Sequence, residues 1–384
     1  MEKTAFNKDF ILICITGFLL GFGTSMAETL VSSYAKTLGG LPSQIGLISS
    51  ICSVSALLVL PLSAPLLDAY RKNITFSAAC ILQAAAYAGF AFSGSIEALL
   101  LLRLVNGVGK GLSNTLCIAI ASDALPEENK TEGVVWCSLA MAVSVAFAPS
   151  AGLYVSAHFG YAVNFFCGAV FVLAAVCCSF LLNLPAGSGK IRISLQGMIA
   201  AESLKPAFLM VCMASAYSTI NSFLVVYAGE LGIEGIGLYF TVYSFALLIS
   251  RPFATRMTKK YREILVLLPA MICFALSMGM VAVSRTLIMF TGAALISAFG
   301  YGICQPLVQS MCIRCAGEGR SGVGSSTSFI GTNTGYLIGP CAGGLLAEKF
   351  GYSAMYMIMI LPVAAGAVMI YIMLLKEKNV SCQN

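Results

Sequence analysis

A chain of 384 residues could hold two or three soluble domains, but 59% of its residues are hydrophobic, 10% are charged and the mean hydropathy is +0.90. Soluble domains are about one-quarter charged, so this composition excludes an ordinary soluble enzyme or binding module and makes a bilayer the solvent. The net charge of +6 raises nucleic acid as a partner; the placement of the basic residues, below, excludes it.

The spans follow in chain order. Lys3 and Lys8 precede an apolar stretch, 10–34, that is too long for a signal-peptide core and reads as a retained first transmembrane helix. It carries Glu28. Spans 43–66 and 73–95 follow. The fourth, 98–122, contains RLVNGVGKG at 103–111, and a charge at the bilayer centre costs at least about 2.5–3.5 kcal/mol. Arg103, Gly107, Lys110 and Asn114 are spaced i, i+4, i+7, i+11 with Asn106 beside them, one stripe down one helix face. Such a stripe should face a water-filled cavity or a partner helix, which makes Lys110, Asn106 and Asn114 candidate substrate contacts.

Spans 133–156, with Pro149, and 161–184 complete a first half. The loop 185–204 includes RISLQGMIAAESL, suited to a short interfacial helix. The second half reads as 205–228 with Tyr217 and Asn221, 236–255 with Tyr243, and 263–284. Then come 287–313 with Ser297, Tyr301 and Gln305 on one face, 323–346 with Gly339 and Pro340, and 352–375. The expected fold is an all-α membrane protein of twelve transmembrane helices in two six-helix bundles: 1–184, a cytoplasmic linker 185–204, and 205–384.

Twelve spans put both termini on one side. With that side cytoplasmic, seventeen basic residues lie inside and only Lys36, Arg285 and Lys349 outside, while Arg103 and Lys110 lie within the membrane. That asymmetry is an insertion signal, and it removes the nucleic-acid reading. The halves also match at a constant offset of 191: Tyr70-Arg71 with Tyr261-Arg262, Gly109 and Gly111 with Gly300 and Gly302, Pro149 and Gly152 with Pro340 and Gly343, Gly160-Tyr161 with Gly351-Tyr352. Across a two-residue loop gap, Tyr34-Ala35 matches Tyr227-Ala228. Parallel repeats of this kind are a transporter architecture.

Glu28 and Arg103 fall at the same depth, which makes their interaction plausible. Lys110, about 10 Å deeper, has no evident carboxylate at its level. In the second copy their counterparts are Asn221 for Glu28, Ala294 for Arg103 and Tyr301 for Lys110, all uncharged. The cysteines, as at Cys177-Cys178, lack metal-ligand spacing and read as small buried hydrophobes. His158 falls at a helix end and reads as a solvated residue. The GSGK at 187–190 is no phosphate loop, because no glycine stands five positions before Gly189 and Ile191 follows the lysine. No catalytic residue, cofactor or metal is expected.

With its 6+6 spans and PLSAPLLDAYRK at 61–72, the chain resembles the major facilitator superfamily over essentially its full length. In that family the loop after the second helix bears an aspartate followed by basic residues that latch the cytoplasmic gate, which the resemblance assigns to Asp68, Arg71 and Lys72. Ala64 replaces the usual glycine, and the glycine before the basic pair is missing. The second copy, SRPFATRMTKKYR, has Lys259 at the place of Asp68. RLVNGVGKG resembles the fourth-helix motif whose arginine is associated with proton transfer, implying that role for Arg103, and a first-helix acid as in multidrug exporters points to Glu28. The glycine-proline motif of exporters is degraded around Pro149 and better kept at Gly339-Pro340, as gating elements.

These implications combine into a secondary active transporter of a small organic solute working by alternating access, a proton-coupled exporter in the cell membrane, monomeric, with Glu28 and Arg103 coupling protons. The alternatives are a proton-coupled importer of an anionic nutrient (an organic acid, sugar acid or phosphate ester) and a non-transporting receptor or lipid-handling protein of the same fold.

Overall fold

The computed structural model describes residues 8–69, 72–123, 130–182, 199–317 and 320–381, and the helices among them are numbered here in chain order. They are α1 (Lys8–Thr37), α2 (Pro42–Ala69), α3 (Lys72–Phe92), α4 (Ile96–Asp123), α5 (Lys130–Phe159) and α6 (Tyr161–Phe180), then α7 (Leu204–Glu230), α8 (Gly237–Lys260), α9 (Glu263–Val283), α10 (Leu287–Cys315), α11 (Ser321–Ile358) and α12 (Ile360–Ser381). The protein is an all-α membrane protein. Of the expected interfacial helix, residues 199–204 fall among the described residues, where a 3-10 turn at Ala201–Ser203 leads directly into α7; the rest lies outside them.

Nine stretches among the described residues are long and apolar enough to cross a bilayer, one of them running from Gly322 to Ile372 through two helices. Neither α4 nor α8 is among them. In α4 the polar stripe dilutes the apolar run, and in α8 Arg251 and Arg256 do so. Large apolar side chains such as Leu58, Phe92, Leu276 and Ile288 are exposed, the pattern expected of a lipid-facing surface.

The chain forms two compact units. The first comprises residues 1–40 and 51–195, and the second residues 41–50 and 196–384, so the first turns of α2 group with the second unit. In the first, α1 packs on α5 and α6, and α3 on α4 and α6. In the second, α7 packs on α11 and α12, and α9 on α10 and α12. These are the same pairings displaced by six helices.

The repeat extends to single contacts. Ser95 caps α4 by accepting from the Ala98 N–H at 3.2 Å, and Thr286 caps α10 by accepting from Met289 at 3.4 Å, each member displaced by 191. Glu97, in the first turn of α4, is held below the usual carboxylate range by hydrogen bonds from its own backbone and from Ser95. Gly160 and Gly351 both have positive φ (87° and 81°) and extended ψ (165° and 163°). That conformation is open to glycine and strained for any other residue, and it turns the chain between neighbouring spans within one residue.

An aromatic knot also recurs. The Tyr34 ring lies 5.4 Å from both Tyr161 and Phe165, and its hydroxyl donates to the Ser93 carbonyl at 2.5 Å. The Tyr227 ring lies 5.9 Å from Tyr352 and 5.7 Å from Tyr356, and donates to the Ala282 carbonyl at 3.0 Å. Aromatic pairs of this kind add about 0.5–1.5 kcal/mol each beyond area burial.

Candidate functional site

Glycines bring α4 close to its neighbours. A Cβ on Gly109 would lie 2.8 Å from the backbone nitrogen of Gln83 in α3, and one on Gly107 would lie 2.3 Å from the Cys52 carbonyl oxygen in α2. Only a residue without a side chain permits that approach. The polar residues of α4 are thereby pressed against polar groups on α1, α2 and α3.

Glu28, on α1, is the centre of the resulting cluster. Its Oε2 forms an ion pair with Lys110 Nζ, and its Oε1 lies 3.7 Å from Arg103 Nη1. Lys110 therefore does have a carboxylate, contrary to the expectation from depth along the helix axis. The axial estimate places Cα atoms, whereas the long lysine and arginine side chains reach the same carboxylate from different turns of α4. The Arg103–Glu28 proximity expected from the sequence is present as the looser of the two contacts.

Arg103 is 5% exposed. It donates to Asn106 Oδ1 at 3.2 Å and lies over the Phe90 ring, 5.8 Å from its centroid. Asn106 is fully buried and accepts from the Cys52 thiol at 3.5 Å. Glu28 Oε1, Arg103 Nε and Asn106 Nδ2 are buried with no hydrogen-bond partner. Unpartnered groups of this kind are costly. Lys110 and Asn114 are half-buried, so the cluster is sealed on the arginine side and accessible on the lysine side.

Sequence reasoning missed Gln83. It is fully buried, donates to Thr24 Oγ1 at 2.9 Å and to the Tyr87 hydroxyl at 2.8 Å, and accepts from Ser113 at 2.7 Å. It ties α1, α3 and α4 together beside the ion cluster. The available signal was one amide within an otherwise apolar run, CILQAAAYAGF.

The second unit puts different chemistry at the equivalent positions. Tyr217 of α7 stacks on Tyr301 of α10, centroids 3.9 Å apart and planes within 6°. Tyr243 of α8 lies 5.7 Å from Tyr217, and Phe274 of α9 lies 5.6 Å from Tyr301. By the offset of 191, Tyr243, Phe274, Ser297 and Tyr301 are the counterparts of Cys52, Gln83, Asn106 and Lys110. The packing agrees: a Cβ on Gly300 would lie 2.6 Å from the Phe274 nitrogen, as Gly109 meets Gln83. Tyr243 and Tyr301 are buried, Tyr217 and Gln305 half-buried, and Asn221 exposed.

Among the expected gating residues, Pro149 lies within α5 and Pro340 within α11. A Cβ on Gly339 would meet the Ser215 carbonyl oxygen of α7 at 2.1 Å. Asp68 lies in the last turn of α2 and Lys72 opens α3; Arg71 lies outside the described residues. His158, exposed in the last turn of α5, hydrogen-bonds the Tyr154 carbonyl at 2.9 Å through Nδ1.

The sequence matches the model of the Major Facilitator Superfamily over residues 13–326 and 206–381. It is 22% identical over 364 residues to the quinolone resistance protein NorA of Staphylococcus aureus strain MRSA252, covering 91% of this chain and 93% of that protein. A multi-drug resistance efflux pump PmrA homolog of Lactococcus lactis is 29% identical over 152 residues, 38% of this chain and 37% of that one. Among solved structures, the nucleoside transporter NupG superposes with a TM-score of 0.75 at 12% identity, covering 96% of this chain and 99% of that one. The human organic anion transporter MFSD10 (TETRAN) gives 0.68 at 14% identity, covering 94% and 98%. At such identities the solved structures speak for the fold, and with the family match over most of its length this chain belongs to the major facilitator superfamily of membrane transporters.

Proposed function

We propose that the protein is a proton-coupled exporter of a small organic solute in the plasma membrane, monomeric and with both termini in the cytoplasm. Export is favoured by similarity to a quinolone resistance protein and to an efflux pump homolog. The observation that carries proton coupling is Glu28: the one acidic residue of the α4-facing cluster, partly accessible, bound to Lys110 and near Arg103. A proton taken up by the carboxylate breaks the ion pair and leaves two cations unbalanced. The return of the pair expels the proton. Solute and proton then compete for one charge balance, which is the logic of exchange. Lys110 and Asn114 line the accessible side of this cluster as solute contacts, and Asn106, fully buried behind them, is the third polar group offered to the solute. Tyr217, Asn221, Tyr243, Tyr301 and Gln305 offer solute contacts in the second unit, while Asp68, Arg71 and Lys72, with Pro149, Gly339 and Pro340, serve the gates.

A second reading, uptake of an anionic solute, is favoured by one observation: Glu28, Arg103 and Lys110 sum to one positive charge. Proteoliposomes with an imposed pH gradient test both. Proton-driven export predicts that Glu28→Gln abolishes gradient-driven flux while solute binding persists. Undiminished coupling in that variant removes the proposal, and accumulation of organic anions by the wild-type protein replaces it with the second reading.

A further inference from the structure

The tyrosine cluster of the second unit combines three features. First, Tyr217 and Tyr301 already form a parallel ring stack, with Tyr243 alongside and Tyr239 parallel to Tyr243 at 6.5 Å and 3°. Second, the hydroxyls of Tyr239, Ser297 and Tyr301, 1%, 0% and 2% exposed, make no well-aligned hydrogen bond: the Tyr239 and Ser297 hydroxyls have each other as neighbours, and the Tyr301 hydroxyl has that of Tyr336. Buried hydroxyls are ordinarily well paired, so three held this loosely beside one ring stack are hydrogen-bonding capacity in reserve. Third, no charge is near. Between its ends α7 carries none from Lys205 to Glu230, α8 none before Arg251 and α10 none before Arg314. The counterparts of the ionic residues of the first unit are here Asn221, Ala294 and Tyr301.

We propose that this cluster is a subsite for an uncharged, planar aromatic ring bearing a hydrogen-bonding edge. The inference rests on the reading above that the chain handles a small organic solute, and it names the class of the part bound in the second unit. Tyr217 is the accessible member of the stack, being half-buried and one turn from exposed Asn221. It swings off Tyr301, and the ligand ring takes its place on the same face. Stacking energy is thus exchanged rather than created, while the loosely held hydroxyls of Tyr301 and Ser297 gain better-aligned partners on the ligand's edge. Recognition by ring face tolerates many ring systems, whereas a loosely held buried hydroxyl discriminates against a ring with no polar edge.

The test is equilibrium binding to the purified full-length protein in detergent, with 2-naphthamide and its saturated counterpart decahydro-2-naphthamide as probes. Both are neutral and carry the same amide; only one is flat. The expected result is at least about tenfold tighter binding of the flat compound. Tyr301→Leu should erase about tenfold of that preference, Tyr217→Leu, which has no ring to displace, should keep it, and Tyr301→Phe should weaken the flat compound about fivefold by removing the hydroxyl. Equal binding of the two probes, no measurable binding of 2-naphthamide, or full retention of the preference in Tyr301→Leu overturns the proposal. Where Tyr301→Leu does not fold, the wild-type comparison of the probes decides. Failure of the transporter reading is distinguishable: Glu28→Gln alters coupled flux and leaves the preference between the two probes in place.

Discussion

Glu28 has two cationic neighbours, and the three charges leave an excess of one positive. Removing Lys110 therefore leaves a balanced Glu28–Arg103 pair, whereas removing the charge of Glu28 leaves two cations facing each other. Both members of the tighter pair are partly exposed, at 19% and 31% of their side chains, so the cost lies between that of a surface and a buried pair. Lys110→Met should cost about 1–3 kcal/mol, and Glu28→Gln should lower the melting temperature further; thermal unfolding of the two purified variants checks the order, and the reverse order refutes the charge count. The proximity of Arg103 and Glu28 was legible in the sequence because charges in a span are so costly that they seek one another. Their geometry was not, since helical rise locates backbones and says nothing of how far a lysine reaches. Gln83 was harder still to find, because one amide among alanines is as compatible with ordinary helix packing as with a network.

At the scale of helices, the close approach of α4 to α3 and of α10 to α9 depends on glycine. A methyl at Gly109 or Gly300 would meet backbone atoms at 2.6–2.9 Å, and backbone cannot step aside as a flexible side chain can. Gly109→Ala and Gly300→Ala should each destabilise by about 1–3 kcal/mol. Gly229→Ala, at the end of α7 with nothing within 4 Å of the added carbon, should be neutral or stabilise by up to about 1 kcal/mol. Chemical or thermal unfolding of the three variants separates these outcomes. Helix positions were legible from apolar run length, and the span boundaries agree where apolar runs end in polar residues. Spans four and eight pass the length criterion and fall short on apolarity, since α4 is built around its polar stripe and α8 carries Arg251 and Arg256.

For the whole molecule, the internal duplication was the most legible feature, because glycine, proline and tyrosine sit where backbone geometry or a shared knot demands them in both copies. Side chains without that demand have diverged, which is why the ionic cluster of one copy gives no hint of the tyrosine stack in the other. The proposed membrane orientation rests on the basic residues, so a phosphatase fused after Gly40 should be active outside the cell and one fused after Lys260 inactive. The opposite pattern of fusion activities would invert the proposed topology. Gly160 and Gly351, finally, join their spans without any intervening loop. A protease needs several extended residues to enter its cleft, and an epitope needs slack at both ends of its graft. These two corners supply neither, so digestion of the intact protein will pass them over, and any nick or tag found there reports a bundle whose neighbouring helices have already begun to unwind.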